Sequence, residues 1–176
     1  FNNRILIYTV SRFDRIKRIE ILSRIVKNLN SNVDIVHIGD YKENLPYYKE
    51  IIDDYKGIKS YYSLDNISKE SNTKRIFFPG FKNIKEVNNL IKNYNQSIFI
   101  QMSYSEGQSN SILEAMARGS ICLASKGCNM DIAHRENSIV IANELNILKK
   151  INSLLKESDQ FNRIKNNQKQ YLINHH

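Results

Sequence analysis

Glu106 and Glu114 stand eight positions apart in the stretch SEGQSNSILEAMARGS (105–120), where a run of small polar residues leads into an amphipathic helix. An ionised carboxylate only accepts hydrogen bonds, and one carboxylate can accept from two vicinal hydroxyls. Such groups therefore suit the hydroxyls of a sugar or a ribose. A structural role competes at Glu114. Ser111-Ile112-Leu113-Glu114 fits the S-x-x-E capping box, in which the glutamate reaches back to an orphan amide at the helix start. Glu106 precedes Gly107 and has no capping pattern to serve. Spacing alone leaves both roles open at Glu114 and points Glu106 toward a ligand.

A second group of side chains could bind an anion. Arg12, Arg15, Lys17 and Arg18 crowd the segment after the apolar run RILIYTV (4–10). Cations at the positive end of a helix dipole are locally unfavourable, and a bound anion would offset them. The competing reading is an exposed basic turn screened by Asp14 and water. The six glycines, at 39, 57, 80, 107, 119 and 127, never cluster, and neither GxxxxGK[ST] nor GxGxxG occurs. A phosphate would thus be held by side chains and isolated amides. A P-loop kinase, a GTPase or a classical NAD enzyme does not fit.

The elements that must position these residues alternate regularly. Strands are expected at 4–10, 33–39, 76–80, 97–102, 121–125 and 138–142. Helices are expected at 16–30, 45–56, 84–94, from Ser109 or Ser111 onward, and at 143–156 and 158–173, with a short turn-helix after residue 125. This rhythm predicts an α/β fold: a Rossmann-like, doubly wound parallel sheet of about six strands with helices on both faces. Residues 57–75 break the rhythm and read as an insertion with room for a short extra strand. In such sheets ligands lie beyond the carboxyl ends of the strands, which marks the turns after Val10, Gly39, Gly80, Met102 and Ser125.

Bulk properties narrow the class. The chain has 176 residues, is 41% hydrophobic and carries a formal net charge of +8. That is enough material to bury a core as one domain, read here as residues 1–174. His175 and His176 read as the start of a purification tag, and the opening Phe1 reads as the start of a fragment. Two cysteines, Cys122 and Cys128, make no disulfide framework and no CxxC pair, so a reduced, cytoplasmic setting is expected. Cys122 should be inert in its strand and Cys128 more exposed. The positive charge attracts anions, but no RNA-binding or zinc-finger signature and no aromatic-basic platform is present. His37 reads as a packed residue and His134 as solvent-facing.

The residues also carry a resemblance. EGQSNSILEAMARG, followed by ICLAS, resembles the E-x7-E signature in the C-terminal, donor-binding domain of GT-B glycosyltransferases, specifically retaining family 4. The turn Ser11-Arg12-Phe13 with Lys17 resembles the family's G-R-(apolar)-xxx-K turn, VDIVHIGD its second strand, and FFPGF its third. The similarity runs in order from about residue 4 to 142. It implies that Arg12 and Lys17 bind the donor diphosphate and assist catalysis. Glu106 would contact the donor sugar. Gly107, with Gln108, Ser109 and Asn110, would supply amides, and Glu114 would hold the ribose hydroxyls. The family needs no divalent metal; cations stabilise the departing diphosphate instead, each preorganised group being worth roughly 3–4 kcal/mol. The chain departs from the pattern at Ser11, Arg18 and Met102, and at Cys128-Asn129, where the family has Gly-Gly.

The resemblance implies one half of a GT-B enzyme, with the acceptor site on an N-terminal domain outside this sequence. The implied activity is transfer of a sugar, with retention, from a nucleoside diphosphate sugar to an acceptor hydroxyl in glycan, lipopolysaccharide or capsule-type biosynthesis. The isolated domain should bind donor weakly and transfer nothing. Implied partners are the nucleotide-sugar donor and a glycan or lipid-linked acceptor, with peripheral contact at the inner membrane face compatible with the charge. The alternatives are a non-catalytic basic α/β interaction module and a GT-B nucleotide-sugar epimerase.

Overall fold

The computed structural model describes residues 4–29, 32–40, 46–55, 58–64, 67, 75–107 and 109–176. The fold is α/β and Rossmann-like, with seven strands that run parallel in every described pairing. The chain forms two compact units, residues 1–97 and 98–176.

The first unit contains β1 (Ile5–Val10), a one-turn 3-10 helix (Arg15–Lys17), α1 (Ile21–Asn28), β2 (Val33–Ile38), α2 (Pro46–Asp54), β3 (Lys59–Tyr61), β4 (Arg75–Phe77) and α3 (Ile84–Lys92). Its strands lie in the order β3-β4-β2-β1. The pairing of β1 with β2 runs from Ile5 opposite Val33 to Val10 opposite Ile38. All six residues of β2 are buried, as expected of a strand covered on both faces. The extra strand expected near 57–75 is β3, an edge strand; the rest of that insertion lies largely outside the described residues.

Burial of β2 includes two polar residues, and each is accommodated differently. The Asp34 carboxylate accepts from Arg4 Nε at 2.9 Å, Arg75 Nε at 2.8 Å, Arg75 Nη2 at 2.9 Å and Tyr94 Oη at 2.8 Å. A buried carboxylate is tolerated only with such complete pairing. Burial, and then the Asp34 charge, push the Tyr94 phenol well above its ordinary range. His37 instead sits among rings, 4.8 Å from Phe13 edge-on and 6.2 Å from Phe78. Desolvation lowers its pKa to about 3, so the imidazole is neutral. The packed role expected for His37 holds.

Several boundaries move for identifiable reasons. The helix expected over 16–30 begins only at Ile21, because Arg18 adopts the left-handed conformation (φ 54°, ψ 48°) and separates the 3-10 turn from α1. Where the family has glycine, this chain places arginine in a conformation that glycine alone enters freely. The strand expected at 76–80 spans Arg75–Phe77, stopping before Pro79, which lacks an N–H for the ladder. On α3, Asn83 and Glu86 form a reciprocal capping box, and the amide bond from Asn83 lowers the Glu86 pKa.

The second unit contains β5 (Ser97–Gln101) from its second residue on, α4 (Asn110–Ala117), β6 (Ile121–Ala124), a 3-10 turn (Lys126–Cys128), α5 (Asp131–Arg135), β7 (Val140–Ile141), α6 (Ile147–Lys156) and α7 (Ser158–His175). Its strand order is β5-β6-β7. The strand expected at 138–142 shortens to two residues, while α7 extends to His175, whose ring stacks on Tyr171 at 4.5 Å. No described helix is long and apolar enough to cross a membrane.

Candidate functional site

In the first unit, the turn after β1 is fixed by backbone contacts among the strand ends. Ser11 N donates to Ile38 O at 2.9 Å, and Gly39 N donates to Gly80 O at 3.1 Å. A Cβ at Gly39 would lie 1.8 Å from Ser11 O, so only glycine lets these strand ends approach. Phe13 turns inward, within 5.3 Å of the Tyr48 ring as well as His37. Arg12, one residue earlier, is exposed at the same turn.

The four basic residues are not equivalent. Arg15 forms an ion pair with Glu50 and lies 5.1 Å over the Tyr47 ring, which ties it to α2. Arg18 lies 3.6 Å from Glu20. Lys17 is half-buried at the end of the 3-10 turn. The cations therefore do not sit at the N-terminus of α1, as the sequence suggested; they precede it on a separate turn. Asp14 does more than screen charge, because its Oδ1 accepts from Ile16 N at 3.0 Å and caps that turn.

In the second unit, the turn after β5 carries Glu106. Its amide donates to Gly127 O at 2.8 Å. Its Oε1 accepts from Ser103 Oγ at 2.6 Å and Gln101 Nε2 at 2.8 Å. The carboxylate is thus preorganised by neutral donors at the carboxyl end of a parallel strand, where this fold class presents ligands. Gly107 is exposed, and a Cβ there would meet nothing within 4 Å. Gln108 lies outside the described residues.

The expected capping box at Ser111 and Glu114 does not form. The helix starts earlier than that pattern assumes: Ser109 is the N-cap of α4 and Asn110 its exposed first residue. Ser111 Oγ donates to Gln101 Oε1 at 2.6 Å, so it faces the strand and not its own helix. Glu114 is exposed, with Arg118 one turn later at 3.1 Å. The capping role for Glu114 is therefore removed. Ser109 is 3% exposed and its hydroxyl donates to Gln101 Oε1 at 2.7 Å, so its side chain is committed to the strand.

Sequence reasoning missed the residues that build this turn: Gln101, Ser103, Ser125 and Gly127. A signal existed for Gln101, the lone polar residue between Ile98 and Met102. Cys128 corrects another expectation. It is fully buried, with Sγ 3.3 Å from Gln101 O, and burial raises its thiol pKa. Asn129 takes the left-handed conformation (φ 47°) at the second position of the family's Gly-Gly pair, one that asparagine tolerates. Among the described residues no group of three or more His, Cys, Asp or Glu side chains is placed to hold a metal ion.

Comparison with solved structures supports the fold. The C-terminal domain of LpcC, a group 1 family glycosyl transferase from Francisella tularensis, is similar at 20% identity and a TM-score of 0.69, covering 98% of this chain and 85% of that one. HepE from Anabaena, in complex with UDP and glucose, is similar at 20% identity and 0.76, covering 97% of this chain but 44% of that one. WaaG, a glycosyltransferase involved in lipopolysaccharide biosynthesis, is similar at 14% identity and 0.69, covering 98% and 43%. The chain thus spans less than half the length of HepE and WaaG. No curated protein matches the sequence. The family model described as "Glycosyl transferases group 1" matches residues 1–171. The chain belongs to that family, and its fold is that of one domain of a GT-B glycosyltransferase.

Proposed function

We propose that this chain is the donor-binding domain of a retaining hexosyltransferase that uses a nucleoside diphosphate sugar. The observation that carries the reading is the Glu106 turn: an ionisable carboxylate fixed by Gln101 and Ser103 at the carboxyl end of β5. HepE's complex with UDP and glucose supports a donor of this class. In this reading Glu106 orients the sugar and is not a nucleophile. Exposed Glu114, released from capping, accepts from the ribose hydroxyls, and Gly107, Ser109 and Asn110 contribute amides. Arg12 and Lys17 bind the diphosphate and neutralise the charge that grows on it as the glycosidic bond breaks. No metal is assigned to the reaction.

The acceptor hydroxyl belongs to a glycan or lipid-linked substrate, in keeping with the lipopolysaccharide role of WaaG. Its binding site is assigned to a further domain, so the chain alone binds donor and transfers no sugar. A cytoplasmic site of action at the inner membrane face accords with the +8 charge, which favours anionic headgroups.

Calorimetric titration with UDP, GDP and ADP tests the proposal. One diphosphate should bind selectively, and Glu114→Ala should weaken it by about tenfold, as expected for lost hydrogen bonds to a charged group. Equal affinity of the variant for that diphosphate would remove Glu114 from the site, and binding of none would overturn the donor assignment.

A further inference from the structure

We infer that Gln101 is the positioning residue for the donor-sugar carboxylate, and that it locks the Glu106 turn to the first turn of α4. The inference rests on the donor-site reading above and goes beyond it, to a residue outside the family's E-x7-E and basic-turn motifs.

Gln101 ends β5 and is 4% exposed. A buried carboxamide is costly unless its hydrogen bonds are met, and here they are met on both sides. Oε1 accepts from Ser109 Oγ at 2.7 Å and Ser111 Oγ at 2.6 Å, both on the segment that starts α4. Nε2 donates to Glu106 Oε1 at 2.8 Å. The main-chain oxygen is held too, accepting from Ser125 N at 3.0 Å and Cys128 Sγ at 3.3 Å. Both amide positions are thereby dictated. Reversing the side chain would set an acceptor against the Glu106 carboxylate and deny the two serines theirs.

The two sides of this amide can be separated chemically. In Gln101→Glu, one oxygen still accepts from Ser109 and Ser111, so the α4 side persists. The other oxygen replaces the donor to Glu106 with a like charge. The substitution is close to isosteric and acts selectively on Glu106, which in this reading contacts the sugar but not the nucleotide. A defect confined to the sugar is what a positioning role predicts and what general loosening of the fold does not.

The experiment is calorimetric titration of the wild-type chain and the variant with UDP-glucose, GDP-mannose and ADP-glucose, each beside its parent diphosphate. For the pair that the wild type binds, Gln101→Glu should leave diphosphate affinity within about twofold. It should weaken the nucleotide sugar by about tenfold or more, the scale of one hydrogen bond to a charged group. Gln101→Met removes the donor to Glu106 together with the acceptor of Ser109 and Ser111; it should still weaken the nucleotide sugar more than the diphosphate, and serves if the glutamate variant does not fold. Equal losses for both ligands, or full retention of sugar preference in a folded variant, would overturn the inference alone. A wild-type chain that binds no nucleotide sugar would overturn the donor-site reading and this inference with it.

Discussion

Gly127 offers a sharp mechanical test of how the Glu106 turn is built. A Cβ at this position would lie 2.2 Å from Tyr104 O, 2.6 Å from Tyr104 C and 2.7 Å from Ser103 O. All three obstacles are backbone, so no side chain can swing aside. Reaching even 3.0 Å from Tyr104 O requires a displacement of about 0.8 Å, and the segment that must move is 103–106. Taken along the 2.8 Å bond from Glu106 N to Gly127 O, a movement of that size would stretch it to about 3.6 Å, beyond hydrogen-bonding range.

Overpacking of this kind costs typically about 1–3 kcal/mol, and the lost hydrogen bond about 1 kcal/mol more. For a chain of this size each kcal/mol lowers Tm by roughly 2–4 °C, so Gly127→Ala should melt roughly 4–16 °C below wild type by circular dichroism. Gly107→Ala is the control. It adds the same methyl group beside Glu106 but into open space, and its melting temperature should stay within about 2 °C of wild type. Equal Tm values for the two variants would refute the claim that backbone contact at Gly127 holds the turn.

Two further predictions concern the buried polar residues of β2. Asp34→Ala removes the carboxylate shared by Arg4 and Arg75 and should destabilise by about 3–5 kcal/mol in urea unfolding; a loss below about 1 kcal/mol would sink the paired-charge account. His37 has a folded pKa near 3 against 6.5 for the free side chain, so the unfolded chain binds the extra proton between those values. Its contribution is complete above about pH 6.5 and is lost as pH falls toward 3, with a slope of about 1.4 kcal/mol per pH unit. His37→Phe should flatten the decline in urea midpoint between pH 6.5 and 4.5; an unchanged profile would show that His37 is not the group being protonated.

Much of the fold was legible because its strands are short β-branched runs with turn residues between them, a pattern that survives without tertiary information. What escaped depended on contacts distant in sequence. Arg75 looked like the end of a polar insertion, yet it is a fully buried residue of β4, because Asp34 lies opposite it in register. Cys128 looked exposed in a polar loop, yet the loop folds its thiol onto the end of β5. The helix after strand one was read too long because hydrophobic period carries no information about the left-handed φ at Arg18.

The candidate site shows the same division more sharply. Glu106 and Glu114 could be picked out by spacing, but their difference in role could not, since S-x-x-E describes a capping box and a ligand-facing helix equally well. The decision is made by Gln101. By drawing Ser109 and Ser111 toward the strand, it takes away the serine a capping box needs and leaves Glu114 facing outward beside Arg118. The same amide orients Glu106 through its other end. One buried side chain thus determines what both carboxylates can do. That is why a motif reading finds the pair, whereas the physical account must begin one strand residue earlier.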